Sequence, residues 1–236
     1  INPGFFRRMR EGRPHVRCKL AMSLDGRTAM ASGESKWITS DAARNDVQRL
    51  RARSSAIVTG IETVLADDPS MNVRLPITRL PGVEHPEYLR QPLRVVLDTR
   101  LRMPPRARML TLPGDTLVVC GESASRSVES ELRELGADVL RLPQLGGRLE
   151  LDQLLRQLAE RQVNEVLIES GPTLAGSALA AGIIDELVVY MAPHLMGDAA
   201  RGLVRMPGVD RMADRFELRF KDSRMVGADL RLLLTR

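Results

Sequence analysis

The chain has 236 residues, 43% of them hydrophobic and 28% charged, with a formal net charge of +5 and a pI near 9.8. A chain of this length buries roughly 70% of its unfolded surface, and this balance of apolar and charged residues excludes a disordered chain. No apolar run approaches the roughly 20 residues that cross a bilayer, so no membrane partner is expected. The first residues lack both an initiator Met and the apolar core of a signal peptide. Cys18 and Cys120 stand far apart in apolar stretches, which points to two buried, reduced thiols and a cytoplasmic location. Arginine supplies nearly all the positive charge, because Lys19, Lys36 and Lys221 are the only lysines, and it is scattered along the chain. With aromatics at 3%, base-stacking platforms are scarce, and small anionic ligands account for the charge better than nucleic acid does.

Residues 1–13 are basic and carry no sustained period, which reads as a linker or arm. From Val16 the chain alternates, with Val16, Cys18, Leu20 and Met22 on one face and Arg17, Lys19, Ala21 and Ser23 on the other. Asp25-Gly26 then supplies a turn, so a strand ends in a loop. Ser40 caps a helix from Asp41 to about Arg53, with Ala43, Val47 and Leu50 as its apolar stripe and Arg44 and Arg51 beside it. Ala56 to Gly60 is a short strand, and a brief helical turn after it stops at Ala66-Asp67-Asp68-Pro69. Pro76, Pro81, Pro86 and Pro92 make residues 76–92 a surface excursion. Beyond it, strands at Leu93 to Asp98, Thr116 to Cys120, Ala137 to Leu142, Val166 to Ile168 and Leu187 to Tyr190 alternate with helices. Those helices run from Ser125 to Leu135, Leu151 to Gln162 and Thr173 to Ala181; the second has an apolar stripe of Leu151, Leu154, Leu155 and Leu158. Phe216 to Asp222 and Leu230 to Leu234 are two strands around Gly227 with no helix between. The pattern predicts one α/β domain, a mixed and mostly parallel central sheet flanked by helices with an antiparallel C-terminal hairpin.

Glu169-Ser170-Gly171-Pro172-Thr173-Leu174-Ala175-Gly176-Ser177 sits where a strand ends and a helix begins. In open α/β sheets ligands bind there, because the first N–H groups of the helix have no partner within it and point at an arriving anion. Gly171 and Gly176 would let a diphosphate approach the backbone, although glycine at such a turn also serves geometry alone, and the spacing is not G-x-G-x-x-G. Glu169 ends an apolar strand and needs a partner such as a ligand N–H or hydroxyl. Lys19 is either an exposed strand residue or a proton donor or hydroxyl anchor. Trp37, the only Trp, is either a core plug or a flat ring beside a nicotinamide or adenine. Arg51 and Arg74 are either solvated charge or holds on a phosphate ester. His85-Pro86-Glu87 matches half of a zinc deaminase signature, but the P-C-x-x-C half is absent from the sequence. His15, His85 and His194 are dispersed, so no metal site is expected, and neither a nucleophile elbow nor a Walker loop is present. Hydride transfer suits such a chain, since a cofactor then carries the chemistry.

Four segments bear a resemblance. They are Lys19-Leu20-Ala21-Met22-Ser23-Leu24-Asp25-Gly26-Arg27, Ser35-Lys36-Trp37-Ile38-Thr39, Thr63-Val64-Leu65-Ala66-Asp67-Asp68-Pro69 and Glu169-Ser170-Gly171-Pro172-Thr173-Leu174-Ala175-Gly176. In order and spacing the chain resembles, from about residue 14 to 236, the reductase domain of the bifunctional riboflavin-biosynthesis deaminase/reductase. The resemblance implies a dihydrofolate-reductase-like fold, NADPH as cofactor, and conversion of 5-amino-6-(5-phosphoribosylamino)uracil to its ribitylamino product. It also implies that residues 1–13 are a linker from an N-terminal zinc deaminase domain missing here, that 14–236 are the reductase domain, and that the protein is a homodimer. Matching positions put the cofactor at Ala21, Trp37, Thr63, Asp67, Thr99 and the turn Gly171, Pro172, Thr173, Leu174, Ala175, Gly176 and Ser177. They put the substrate at Ser35, Arg51, Met71, Arg74 and Glu169.

Lys19 and Glu169 are the expected catalytic residues. A ribosylamine must open to an imine before hydride reaches the first carbon of the sugar, which calls for a proton donor near the ring oxygen and a hold on the pyrimidine. Lys19 takes the first role and Glu169 the second, while Arg51 and Arg74 hold the phosphate. The turn after Ile168 is expected to meet the loop around Trp37 in one crevice. Two other readings stand beside this one: a pterin or folate reductase of the same fold, which has no use for the phosphate arginines, and a non-catalytic basic module that binds nucleic acid.

Overall fold

A computed structural model describes residues 2–74 and 90–236; most of the expected proline-rich excursion, with His85-Pro86-Glu87, lies outside the described residues. In chain order the elements begin with α1 (Pro3–Glu11), β1 (His15–Ser23), β2 (Arg27–Ala29), α2 (Asp41–Arg53), β3 (Ala56–Gly60) and α3 (Ile61–Asp67). Then come β4 (Leu93–Leu97), β5 (Thr116–Gly121), α4 (Arg126–Glu134), β6 (Asp138–Leu142), the short pair β7 (Gln144–Leu145) and β8 (Arg148–Leu149), and α5 (Leu151–Glu160). β9 (Glu165–Glu169), α6 (Pro172–Ala180), β10 (Glu186–Ala192), β11 (Arg201–Gly202), β12 (Arg219–Val226) and β13 (Asp229–Thr235) follow. The expected class holds: the sheet is mixed and mostly parallel, helices alternate with its strands, and antiparallel strands end the chain. Two compact units divide it, residues 1–15 with 48–167, and residues 16–47 with 168–236.

In the first unit β3, β4, β5 and β6 run parallel in that order. β5 is buried throughout and β3 up to Thr59, because parallel strands covered on both faces read as continuous apolar runs. Arg94 is the exception inside β4. Its guanidinium donates to Thr116 Oγ1 at 3.1 Å, to the Leu112 carbonyl at 3.0 Å and to the Gly114 carbonyl, so a buried cation closes the turn into β5. α5 buries Leu154, Leu155 and Leu158 of its expected stripe together with Ala159, while Leu151 at its start is half-buried. The segment read as a linker or arm forms the helix α1, which the lack of a period did not signal. Asn2 caps it by accepting from the Phe5 N–H at 3.1 Å, and Gly12 ends it at φ 65°. Gly4 lies so close to Asn164 that a Cβ would stand 2.4 Å from its carbonyl oxygen. Caps and a close approach make this helix, and neither leaves a hydrophobic period in the sequence.

In the second unit β1 pairs parallel with β10, β10 antiparallel with β13, and β13 antiparallel with β12. The register sets Lys19 beside Val188 and Ala21 beside Tyr190. Tyr190 is fully buried and donates to Asp46 at 2.7 Å, where Arg231 also pairs at 3.2 Å. Gly227, at φ 64°, turns β12 into β13 next to the start of α2, where Asp229 accepts the Ser40 N–H at 2.8 Å and its hydroxyl at 2.6 Å. The first strand of this hairpin was expected from Phe216 to Asp222 and lies three to four residues later, at Arg219–Val226. β12 is exposed on both faces, so no burial alternation marks its ends.

Candidate functional site

Lys19 on β1 and Glu169 at the end of β9 are both half-buried. Both act on the Cys18 thiol: burial pushes it up to about 12, the Lys19 charge pulls it down, and the Glu169 carboxylate pushes it up. Glu169 therefore lies within electrostatic reach of the strand that carries Lys19, although the two are distant in sequence. The buried thiol is protonated at neutral pH. Cys120 is likewise buried and free.

The stretch from the end of β9 into α6 gives its two glycines different surroundings. Gly171 is the N-cap of α6, with extended backbone at φ −71° and ψ 175°; no side chain caps the helix, and Pro172 occupies its first turn. The helix itself supplies no acceptor for its first N–H groups, which suits an anion. A Cβ added at Gly171 would meet nothing within 4 Å, whereas one at Gly176 would stand 2.1 Å from the Arg205 carbonyl oxygen. The space expected at Gly176 for a diphosphate is thus filled by the chain itself. Arg205 also donates its N–H to the Pro172 carbonyl at 3.0 Å, so the segment after β11 is seated on α6. Thr173 is exposed, Leu174 and Ser177 are half-buried, and Ala175 is buried.

Trp37 lies in the loop between β2 and α2 and is 70% exposed, which excludes a core plug. The Arg44 guanidinium sits 4.4 Å from its ring centroid and donates to the Thr39 carbonyl at 2.6 Å, bracing the loop that also holds half-buried Ser35. Asp25 does more than turn the chain. Its carboxylate accepts from the Ser23 hydroxyl, from the Met196 N–H at 3.1 Å and from the Gly197 N–H at 2.8 Å. The Ser23 hydroxyl, with those backbone donors, holds this carboxyl below the usual carboxylate range. It ties the loop after β1, which leads toward Trp37, to the loop after β10, which leads toward Arg205. The Asp-Gly pair signals a turn in the sequence, but nothing there names the partner some 170 positions away.

The first unit carries the remaining expected residues. Thr63 is half-buried on α3 and Asp67 is exposed at its end, followed by Asp68 and Met71 in the left-handed region at φ 40° and 44°. The Met71 side chain is buried in the core, so contact with a ligand would fall to its backbone. Arg51 is only 9% exposed, which excludes the reading of solvated charge; it donates to the Asn72 carbonyl at 3.1 Å. Arg74 donates to Asn72 Oδ1 at 3.1 Å, and its backbone N–H donates to Gln48 Oε1 at 2.9 Å. The two arginines thus meet at Asn72, which, like Gln48, leaves no periodic signal that a sequence reading would find. Thr99 follows β4 half-buried, its carbonyl accepting the Gly121 N–H at 3.0 Å. Beside it Asp98 is fully buried, its carboxyl pushed up by burial while accepting the Met103 N–H at 2.8 Å. Among the described residues no group of three His, Cys, Asp or Glu side chains could hold a metal ion, and no helix is long and apolar enough to cross a membrane.

Parallel strands with antiparallel strands at the end of the chain make a mixed α/β fold. The riboflavin biosynthesis reductase Rib7 of Saccharomyces shares it, with a TM-score of 0.69 over 95% of this chain and 90% of that one, at 18% identity. RibD from Acinetobacter baumannii is nearer, with a TM-score of 0.86 and 42% identity over 99% of this chain and 61% of that one. The riboflavin biosynthesis protein RibD of Escherichia coli (strain K12) is 47% identical over 236 residues, 99% of this chain and 63% of that protein. The RibD C-terminal domain family matches residues 14–232, and the chain belongs to it. The chain spans about three fifths of the length of the curated relatives it matches. Neither the pterin-reductase reading nor the nucleic-acid reading gains support from these likenesses.

Proposed function

We propose that the chain is an NADPH-dependent oxidoreductase that reduces 5-amino-6-(5-phosphoribosylamino)uracil to 5-amino-6-(5-phosphoribitylamino)uracil in riboflavin biosynthesis. In this reading it works in the cytoplasm as a homodimer, joined through residues 1–13 to a zinc deaminase domain. The observation that carries it is membership of the RibD C-terminal domain family over residues 14–232.

The residues present suit the cofactor. The open side of Gly171 and the uncapped start of α6 leave room and donors for a diphosphate, and exposed Trp37 offers a flat apolar surface. Gly171, Pro172, Thr173, Leu174, Ala175 and Ser177, with Ala21, Trp37, Thr63, Asp67 and Thr99, would hold NADPH, which supplies the hydride. Lys19 gives a proton to the ring oxygen as the ribosylamine opens, or anchors a sugar hydroxyl; a positioned acid contributes about 10²–10⁴-fold in rate. Glu169 accepts hydrogen bonds from the pyrimidine. Ser35 and the Met71 backbone line the substrate. Arg51 and Arg74 hold its phosphate, and the bond from Arg51 to the Asn72 carbonyl fixes that guanidinium before the ligand arrives.

Trp37 is the sole Trp, so its emission reports on this cofactor placement directly. Titration with NADPH is expected to quench that emission to a saturable limit. Emission that stays unchanged while NADPH saturates the protein by calorimetry would remove Trp37 from the cofactor site.

A further inference from the structure

Asp25 holds more of the second unit than its own turn. β1 and β10 run parallel, and just past their carboxyl ends the Asp25 carboxylate takes the Met196 and Gly197 N–H groups. The neighbouring Leu24 N–H donates to the His194 carbonyl at 2.8 Å. Gly197, at φ 89°, has the left-handed backbone that lets consecutive N–H groups converge on one carboxylate. The donors are a hydroxyl and backbone amides, so this carboxylate serves to hold chain rather than to pair a cation.

Two routes lead from this joint to residues expected at the cofactor. Along the first, the Ser23 hydroxyl oxygen accepts the Arg27 N–H at 3.0 Å and fixes the start of β2. Just past β2 the Met30 N–H donates to the Glu34 carbonyl at 2.7 Å, beside Ser35 and Trp37. Along the second, β11 pairs with β2, Arg201 opposite Ala29 and Gly202 opposite Arg27, and the Arg27 guanidinium donates to the Ala200 carbonyl at 3.2 Å. Shortly after β11, Arg205 donates to the Pro172 carbonyl and fills the space beside Gly176. The Trp37 loop and the first turn of α6 thus lead off one ribbon. Its strands have three and two residues, and an isolated two-stranded ribbon is marginal even when longer, so its placement depends on the loops that enter it. Asp25 binds those two loops together.

We propose that Asp25 is a positioning residue for the cofactor: by fixing the loops that enter β2 and β11, it sets Trp37 and the start of α6 where NADPH meets both. The inference rests on the NADPH reading above and adds to it a residue that acts through the two loops.

Calorimetric titration with NADPH of the wild type, Asp25→Ala, Asp25→Asn and Glu186→Gln tests it, each protein being checked for folding by circular dichroism. Asp25→Ala is expected to raise the Kd at least about tenfold, because a smaller fraction of the protein then holds the binding arrangement. Asp25→Asn keeps one acceptor oxygen and is expected to fall between, at least about threefold above wild type, which decides the matter should the alanine variant not fold. Glu186→Gln loosens Arg17, paired at 2.7 Å near the opposite end of the same two strands. It is expected to lower Tm and to leave the Kd within about twofold of wild type, which separates positioning from general loss of stability. A folded Asp25→Asn that binds NADPH as the wild type does, or a Glu186→Gln that weakens binding as much, would overturn the role of Asp25 alone. A wild type that does not bind NADPH would overturn the cofactor reading with it.

Discussion

Gly171 caps α6 and Gly176 lies inside it, five positions on, and the two meet opposite surroundings. Gly171 faces open space, while the place of a Gly176 side chain is occupied by the Arg205 carbonyl. The same residue type therefore borders open space at one position and makes room for the chain's own packing at the other. Glycine near a strand-to-helix junction does not announce which of the two it does; the surrounding atoms decide.

That contrast can be broken by substitution. Gly176→Ala, forcing a methyl against a backbone oxygen, is expected to cost about 1–3 kcal/mol of stability and to lower Tm by about 2–12 °C. A melting curve that matches wild type would show that Arg205 moves aside freely. Gly171→Ala is expected to shift stability by no more than about 1 kcal/mol, since it only exchanges one weak N-cap for a poorer one. Its effect falls on the cofactor, raising the KM for NADPH by about tenfold with kcat kept, which steady-state kinetics would separate from a general loss.

A subtler test concerns the clamp that leads toward Arg205. The Asp25 carboxyl is held below its ordinary value, so the stabilisation it gives is present above the unfolded pKa of about 4 and fades as pH falls through the lower folded value. Asp25→Asn should therefore melt below wild type at pH 7, and the gap should close in acid. A gap that persists unchanged below about pH 3 would mean that the carboxylate charge is not what holds Met196 and Gly197.

Much of the fold was legible because its elements carry local signals. α2 falls at Asp41–Arg53, where Ser40 and the Ala43, Val47 and Leu50 stripe put it, and the buried parallel strands read as apolar runs. The site residues were legible only as sequence blocks, and the structure adds which of them are anchored and by what. Non-local contacts left no trace in the pattern. Arg141 donates to the Gly121, Glu122 and Ala124 carbonyls and pairs with Glu129, and Arg17 pairs with Glu186. Part of the arginine that composition assigned to anionic ligands thus closes turns and joins strands, and a guanidinium bonded to a distant carbonyl has no spacing to read. α1 was missed for a related reason, since Gly4 against Asn164 is a fit between segments far apart in sequence.

The central claim, reduction of a phosphorylated ribosylaminopyrimidine, is tested most directly by following NADPH oxidation with 5-amino-6-(5-phosphoribosylamino)uracil, with dihydrofolate as the control. Saturable oxidation with the aminouracil and none with dihydrofolate is expected. Turnover of dihydrofolate alone, or no oxidation with either by a folded protein that binds NADPH, would contradict it.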